Sequence, residues 1–345
     1  MESGYKKPPS KRVYYPLVSR VTRSNRVLSK SMDTRMPPSI PHVAILMGTY
    51  NGEAYLSEQL DSIEGQQHAH WTLHVSDDSP LPGTRRLLEA YQRRWGEQRL
   101  KIYPGKQQGF AANFMSLVRN SAIQGDYYAF ADQDDRWHPE KLTRAVERLA
   151  AYPPSQPQLY TARAQLVDEQ GTPTGYSTLQ ARAPGFNNAL VQNIASGNTM
   201  VFNQAARECL QRSPHGEDTG LHDWWCYLLI SGCGGRVVYD STPCIDYRQH
   251  ASNLIGMQRG IKSLLTRIKH LWQGGHRMQI DRNLTALADH RDWLEPQHQA
   301  SFDHYRCSRH GNPWQRLQGL IKARVYRQTW QGNLAMRVAA LLNKG

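Results

Sequence analysis

Paired cysteines are missing from this chain. Its five cysteines (Cys209, Cys226, Cys233, Cys244 and Cys307) are odd in number and show no CxxC spacing, which argues against a disulfide framework and against a zinc site. Long apolar runs are missing too. The longest span a handful of residues, too few to cross a bilayer. The N-terminus reads MESGYKKPPSKRVYYPLVSR, without the apolar core of a signal peptide, so a cytoplasmic location is expected. Neither GxGxxG nor GxxxxGK[ST] follows the first strand-like run. Without such a loop to cradle phosphates, the pyrophosphate of any nucleotide must be held by metal and side chains.

What is present is length and an uneven charge. The 345 residues carry a net charge of +13, enough chain for one large domain with appendages. Residues 1–40 hold nine Lys or Arg against two acids, and residues 257–345 hold fifteen against five. The middle, 41–256, is mildly acidic, with eighteen against 22. Residues 1–40 are rich in Ser, Pro and basic side chains, lack periodicity and are read as disordered.

From residue 42 onward apolar runs and helical spacings alternate. HVAILM (42–47), WTLHVS (71–76), RLKIYP (99–104) and DYYAFA (126–131) read as strands. Helices are expected at 53–66, 83–95, 109–122 and 139–151, the last with Pro139 at its start. This alternation predicts a doubly wound α/β sheet. Beyond it the pattern predicts a strand over 158–168, then strand, Gly turn, strand and helix over 188–210. A helix over 221–232 and strands at 235–240 and 244–250 follow.

Ligands of such sheets bind beyond the carboxyl ends of the strands. Four polar segments lie there: GTYNGE (48–53), DDSP (77–80), GKQQG (105–109) and DQDD (132–135). Asp132 and Asp134 stand two apart, so in an extended chain they point the same way. Their repulsion calls for a cation, and oxygen ligands suit Mg²⁺ or Mn²⁺. Asp134 or Asp135 capping the helix near Pro139 is the plainer alternative. Asp77 and Asp78 can contact a base or ribose, or simply make a turn. Asp223 opens an apolar helix beside His222, Trp224 and Trp225. It is either a partly desolvated base or a helix N-terminal carboxylate. Arg248 suits a diphosphate and His250 a metal.

Together these residues resemble the family 2 glycosyltransferases. The resemblance covers about residues 41–256. It is carried by MGTYNGEAYLSEQLDSI, SDDSPLPGT, GFAANF, YAFADQDDRWHPEKL, SGNTMVFN, HDWW and YRQH. The last motifs are most similar to its rhamnosyltransferase-like branch, which makes bacterial surface polysaccharide. The resemblance implies a GT-A fold, Rossmann-like, with a mainly parallel sheet and helices on both faces, followed by a basic helical C-terminal extension. It implies a nucleotide-sugar pocket of Thr49, Tyr50, Asn51, Glu53, Asp77, Asp78, Gly109, Asn113, Asp132, Gln133 and Arg248. Ser196, Gly197, His222 and Trp224 fall on the sugar and acceptor side, Asp223 is the implied base, and Asp132, Asp134 and His250 surround a Mg²⁺ or Mn²⁺ ion. The implied donor is dTDP-L-rhamnose and the implied acceptor a lipid-linked saccharide of a polysaccharide such as O-antigen. Ser79–Pro80 departs from the Gly-Ser that often follows the Asp pair, so the loop beside the base is expected to differ.

The C-terminal region intersperses Leu317, Leu320, Ile321, Val325, Leu334, Val338, Leu341 and Leu342 with Arg and Lys. That suits an interfacial helix on an anionic membrane, or a helical subdomain packed on the core. Two other classes compete: a nucleic-acid binder using the basic ends, and a metal-dependent phosphohydrolase using the Asp cluster. The acidic core and the lack of a recognition motif speak against nucleic acid.

Overall fold

In a computed structural model of the protein, residues 1, 40–213, 220–250 and 275–343 are described. The basic segment 2–39, the end of the expected catalytic domain (251–256) and the stretch IKSLLTRIKHLW (261–272) lie outside the described residues.

Strands β1 (Val43–Thr49), β2 (Trp71–Asp77), β3 (Leu100–Pro104) and β4 (Tyr127–Ala131) alternate with helices α1 (Leu56–Glu64), α2 (Pro82–Trp95) and α3 (Phe110–Arg119). After β4 come β5 (Arg136–Trp137), α4 (Lys141–Ala150), β6 (Gln158–Ala162), β7 (Gln165–Val167) and β8 (Pro173–Tyr176). Then follow α5 (Phe186–Ala189), β9 (Val201–Asn203), α6 (Gln204–Arg212), α7 (His222–Gly232), β10 (Arg236–Asp240) and β11 (Ile245–Arg248). Seven strands form the main sheet in the order β10-β6-β9-β4-β1-β2-β3. All neighbours are parallel except β9, which runs against both β4 and β6.

Strand β1 is apolar without alternation because both faces of the sheet are covered. Its pleat still sorts the side chains. Ala44 and Leu46 join Phe114, Phe130, Phe202 and Trp225 on one face, while Val43, Ile45 and Met47 join Leu60, Leu73, Leu142 and Leu149 on the other. Burying one such leucine contributes about 1.5–3 kcal/mol. Parallel register brings Thr49 beside Asp77, and Asp77 beside Pro104. The polar residues after β1, β2, β3 and β4 therefore lie along one edge.

A second sheet, β5-β11-β7-β8, stands beside the first. Its antiparallel β5–β11 pair matches Trp137 with Ile245. That register carries the YRQH segment back to the carboxylates after β4.

Four expectations need correction. The run expected as one strand over 158–168 is two, β6 and β7, in different sheets. The expected strand after 188 is the short helix α5, because Asn188 bonds to the Tyr326 carbonyl (2.9 Å) and accepts from the Tyr227 hydroxyl (3.0 Å). Tertiary contacts there override the local apolar pattern. Helix α4 begins at Lys141, two residues after Pro139, and no side chain caps it; the capping alternative for Asp134 and Asp135 is not what they do. Finally, the C-terminal run is not one helix. It folds as α8 (Gly275–Ala288), α9 (Pro296–Ser308), α10 (Pro313–Lys322) and α11 (Trp330–Leu341). Arg324 (φ 51°) sits in the left-handed region between the last two.

Helices α8–α11 pack on the core: Ile280, Leu284, Phe302, Tyr305, Leu320 and Ala340 share a cluster with Trp225 and Leu228 of α7. Another apolar set remains outside, including Trp314, Ile321, Trp330, Leu334, Val338 and Leu342. Among the described residues no helix is long and apolar enough to cross a membrane.

Candidate active site

The carboxylates after β4 sit on a turn rather than an extended strand, so alternation does not orient them. Other contacts fix the turn. The Gln59 side chain donates to the Asp132 carbonyl (2.8 Å). Gln133 accepts from the Tyr50 amide (2.8 Å) and donates to the Tyr50 carbonyl (3.0 Å), which ties the loops after β1 and β4 together. Arg248 donates to the Asp134 carbonyl (3.2 Å), to the Glu169 carbonyl (2.6 Å) and to the Glu58 carboxylate (2.6 Å). Its guanidinium also lies over the Tyr55 ring. The expectation that Arg248 meets phosphate is thus corrected: buried and bonded inward, it braces the acidic turn.

Asp135 is fully buried. One oxygen accepts from the Asn198 amide (2.7 Å), and the other has no partner. Beneath it lies Lys141, also fully buried, donating to the Asn198 carbonyl (2.6 Å) and resting on the Trp137 ring. Burial lowers the Lys141 pKa to about 8. Burial raises Asp135 well above the carboxylate range, with Asp134 and Asp132 adding to the effect. Asp132 is pushed up to about 7, by burial first, then by Asp134 and by Asp223. No protein donor among the described residues satisfies its carboxylate. His250 Nε2 stands 2.7 Å from Asp134 Oδ2.

These observations test the fit of a divalent cation. Asp132 and Asp134 supply oxygen donors, Asp132 is unsatisfied, and their mutual repulsion is relieved only weakly by Lys141. The set fits Mg²⁺ or Mn²⁺, which takes oxygen ligands and shares itself with substrate phosphates. His250 is engaged with Asp134, and among the described residues no three potential ligands gather into a ready-made cluster.

Across from this turn, α7 opens with His222 and Asp223. Asp223 accepts from the Trp224 amide (2.6 Å), and the nearby Asn193 side chain and Gly197 amide favour its ionised form. Burial nevertheless raises its pKa to about 6. Asp223 and Asp132 feel each other's charge, so one crevice holds both. Gly197 is needed for close approach: a Cβ there would stand 3.0 Å from His222 Nε2 and 3.4 Å from the Asp223 Cβ. Ser196 is exposed at the same loop and donates to Asn198 (2.7 Å).

His222 is not open to an acceptor. It is buried, stacks on Phe114 with centroids 4.3 Å apart, and neither ring nitrogen has a partner. Burial lowers its pKa to about 3, so it is neutral. Trp224 turns away from the crevice; its indole donates to the Ala189 carbonyl (2.7 Å) and its ring stacks on His276. Its expected sugar-side position is corrected.

The other end of the crevice is built from turns. Asp77 Oδ1 accepts from the Thr49 hydroxyl (2.9 Å), the Ser79 amide (3.1 Å) and the Ser79 hydroxyl (2.6 Å). Asp78 accepts from the Gln107 amide (2.9 Å). Both aspartates thus make the turn that Ser79–Pro80 shapes. Asn51 (φ 48°) donates its amide to the Ser79 hydroxyl (2.9 Å). Tyr50 is exposed. Glu53 lies against Gly83 at the start of α2. Gly109 (φ 92°) precedes α3 with open space around it. Asn113 is buried, donates to the Ser76 carbonyl (2.9 Å), and leaves its own oxygen unpartnered.

Sequence reasoning missed the supports. Gln59 and Lys141 were detectable: each is a polar residue at a helical position shared with core residues. Asn198, Asn193 and Glu58 carry no such signal, since only the fold brings them to the carboxylates.

A mainly parallel sheet with an acidic turn at its carboxyl edge and a facing carboxylate on a helix defines a GT-A glycosyltransferase. The profile of glycosyl transferase family 2 matches residues 44–208, so that segment carries a domain of this family, and the protein is a glycosyltransferase. It is similar to dTDP-rhamnosyl transferase RfbG of Shigella flexneri, with 27% identity over 259 residues, covering 70% of this chain and 85% of that protein. It is also similar to the UDP-Glc:alpha-D-GlcNAc-diphosphoundecaprenol beta-1,3-glucosyltransferase WfgD of Escherichia coli. There the identity is 32% over 110-odd residues, about 31% of this chain and 40% of that one. A mannosyltransferase of Pyrobaculum calidifontis, solved with GDP-Man and Mn²⁺, superposes with a TM-score of 0.51 at 17% identity. That superposition covers 88% of this chain and 80% of that one, a likeness of fold.

Proposed function

We propose that the protein is an inverting, metal-dependent rhamnosyltransferase. It moves L-rhamnose from dTDP-L-rhamnose to a hydroxyl of a lipid-linked or cell-surface polysaccharide such as O-antigen. The observation that carries this reading is the pairing of Asp223 with the Asp132 turn across one crevice. The extent of similarity to the dTDP-rhamnosyl transferase supports the donor.

Asp223 is suited to be the base. The Trp224 amide holds its orientation, and a pKa near 6 leaves it ionised yet more basic than a free carboxylate. The acceptor oxygen attacks the anomeric carbon as its proton passes to Asp223, and the bond to the nucleoside diphosphate breaks on the opposite side. One displacement inverts the anomeric centre. Asp132 and Asp134 would hold the Mg²⁺ or Mn²⁺ ion, which supplies positive charge beside the leaving diphosphate. Gln133, Gln59 and Arg248 keep the turn rigid for that task, while Thr49, Asp77 and Asp78 shape the base and ribose end.

The exposed Trp314, Ile321, Trp330, Leu334 and Leu342 stand among Lys322, Arg324 and Arg337. This composition supports docking on the anionic inner face of the cytoplasmic membrane, where a lipid-linked acceptor would lie.

The test is a panel of nucleotide sugars with Mg²⁺ or Mn²⁺, read as nucleoside diphosphate release. We expect the fastest release from dTDP-L-rhamnose and its loss in EDTA. Faster release from another donor sinks the rhamnosyl assignment, and release insensitive to EDTA sinks the metal. Free phosphate from a nucleotide monoester would favour a phosphohydrolase instead.

A further inference from the structure

Beyond the crevice, the C-terminal helices enclose a second cavity. Helices α8, α9, α10 and α11 surround about 740 Å³ of space, open solvent at the mouth included. Four arginines line it: Arg277, Arg309, Arg316 and Arg327. Opposite them the wall is apolar, with Ile280, Leu320, Met336 and Ala340.

The charges there are unbalanced. Asp281 pairs with Arg309 (2.7 Å) and more distantly with Arg277 (3.8 Å). Among the described residues neither Arg316 nor Arg327 has a carboxylate partner. The Nε of Arg316 is buried without any hydrogen-bond acceptor. Arg327 donates to His276 Nε2 (3.3 Å), which therefore accepts as a neutral imidazole. Residues 304–345 contain eight Lys or Arg and no Asp or Glu. Guanidiniums held together in a partly buried place repel one another unless an anion joins them. Their forked donors match phosphate oxygens, and the Tyr305 and Ser308 side chains, also in the lining, add hydroxyls.

We propose that this cavity is a phosphate-binding site, with Arg316 and Arg327 as its principal donors and the apolar wall receiving an aliphatic chain attached to the phosphate. Free phosphate and a lipid headgroup share this chemistry. The proposal does not depend on the rhamnosyl assignment.

The experiment uses the full chain in EDTA, which removes metal-assisted binding at the crevice. Thermal unfolding and titration calorimetry follow three probes: inorganic phosphate against chloride at equal ionic strength, dihexanoyl phosphatidylglycerol, and dihexanoyl phosphatidylcholine. Phosphate or phosphatidylglycerol should raise the melting temperature beyond chloride and beyond phosphatidylcholine. Arg316→Gln and Arg327→Gln should each weaken that binding about tenfold, as expected for a lost charge-assisted hydrogen bond, and leave nucleoside diphosphate release unchanged. A response to inorganic phosphate identifies free phosphate as sufficient; a response to phosphatidylglycerol alone identifies a lipid headgroup. Equal effects of phosphate and chloride with no phosphatidylglycerol response, phosphatidylcholine binding as well as phosphatidylglycerol, or full affinity in Arg316→Gln overturns the proposal. If Arg327→Gln fails to fold, Arg316→Gln carries the test, because its Nε has no protein partner to lose.

Discussion

Two regions of the described fold concentrate opposite charges. At the carboxyl edge of the main sheet, Asp132, Asp134, Asp135 and Asp223 gather around one buried cation, Lys141. In the C-terminal region four guanidiniums line one cavity, and only Arg309 and Arg277 pair with a carboxylate, that of Asp281. Neither arrangement is self-neutralising. Like charges brought together in a desolvated place are tolerated when an opposite charge completes them. The crevice is therefore arranged for a cation and the helical cavity for an anion. The supports differ as well: Asp132, Asp134 and Asp135 stand on a turn pinned by Gln59, Gln133, Arg248 and Asn198, whereas Arg277 and Arg316 stand on helices and Arg309 and Arg327 in the connections that follow helices.

The largest effect expected within this comparison is at Asp223. Asp223→Asn should lower transfer about 10²–10⁴-fold, the usual contribution of a general base, with dTDP binding retained by calorimetry. Loss of nucleotide binding together with transfer would assign Asp223 to donor binding instead. In the parent protein a pKa of about 6 sets the sign of the pH response. The base works ionised, so kcat/KM should fall about tenfold per unit as pH drops below 6. A flat acid limb would remove Asp223 from that role.

Next comes the cation under the acidic turn. Lys141→Met keeps the shape of the side chain but leaves Asp135 without its counter-charge and the Asn198 carbonyl without its donor. Urea unfolding should show a loss of about 3 kcal/mol. A loss under about 1 kcal/mol would mean that Asp135 is held as the neutral acid, and that the turn carries less negative charge than the comparison assumes.

The smallest expected effect on stability is at the exposed apolar face. Trp330→Glu with Leu334→Glu alters side chains that are 72% and 54% exposed. Unfolding should shift by no more than about 0.5 kcal/mol, while co-sedimentation with anionic vesicles should fall severalfold. Vesicle binding that survives this double change would leave the face without a membrane role.

Much of the fold can be read from residues. The apolar runs of β1 and β4 and the helical spacing of α1 to α4 identify the parallel sheet, because a strand covered on both faces must be apolar throughout. The same reading failed at 188–194, where Val191 and Ile194 look strand-like but pack as part of a short helix and loop held by Tyr227 and Tyr326. At the C-terminus the sequence left open an interfacial helix or a packed helical subdomain; the chain breaks at Arg324, and several helices pack on the core. Within the site, the sequence named the carboxylates but misjudged Arg248 and Trp224. Their side chains have the right chemistry for phosphate and sugar, yet both bond inward to partners on distant segments.

By itself, then, the sequence determined the strand–helix alternation, the acidic turn after β4 and the basic C-terminal third, since apolar periodicity and charge are properties of neighbouring residues. Only the tertiary structure decided that Asp223 faces Asp132, that Lys141 lies beneath Asp135, and that Arg316 and Arg327 border one cavity. These juxtapositions depend on how separate elements pack, which no run of neighbouring residues records. Their energies come from burial and paired charge, which exist only once the chain has folded.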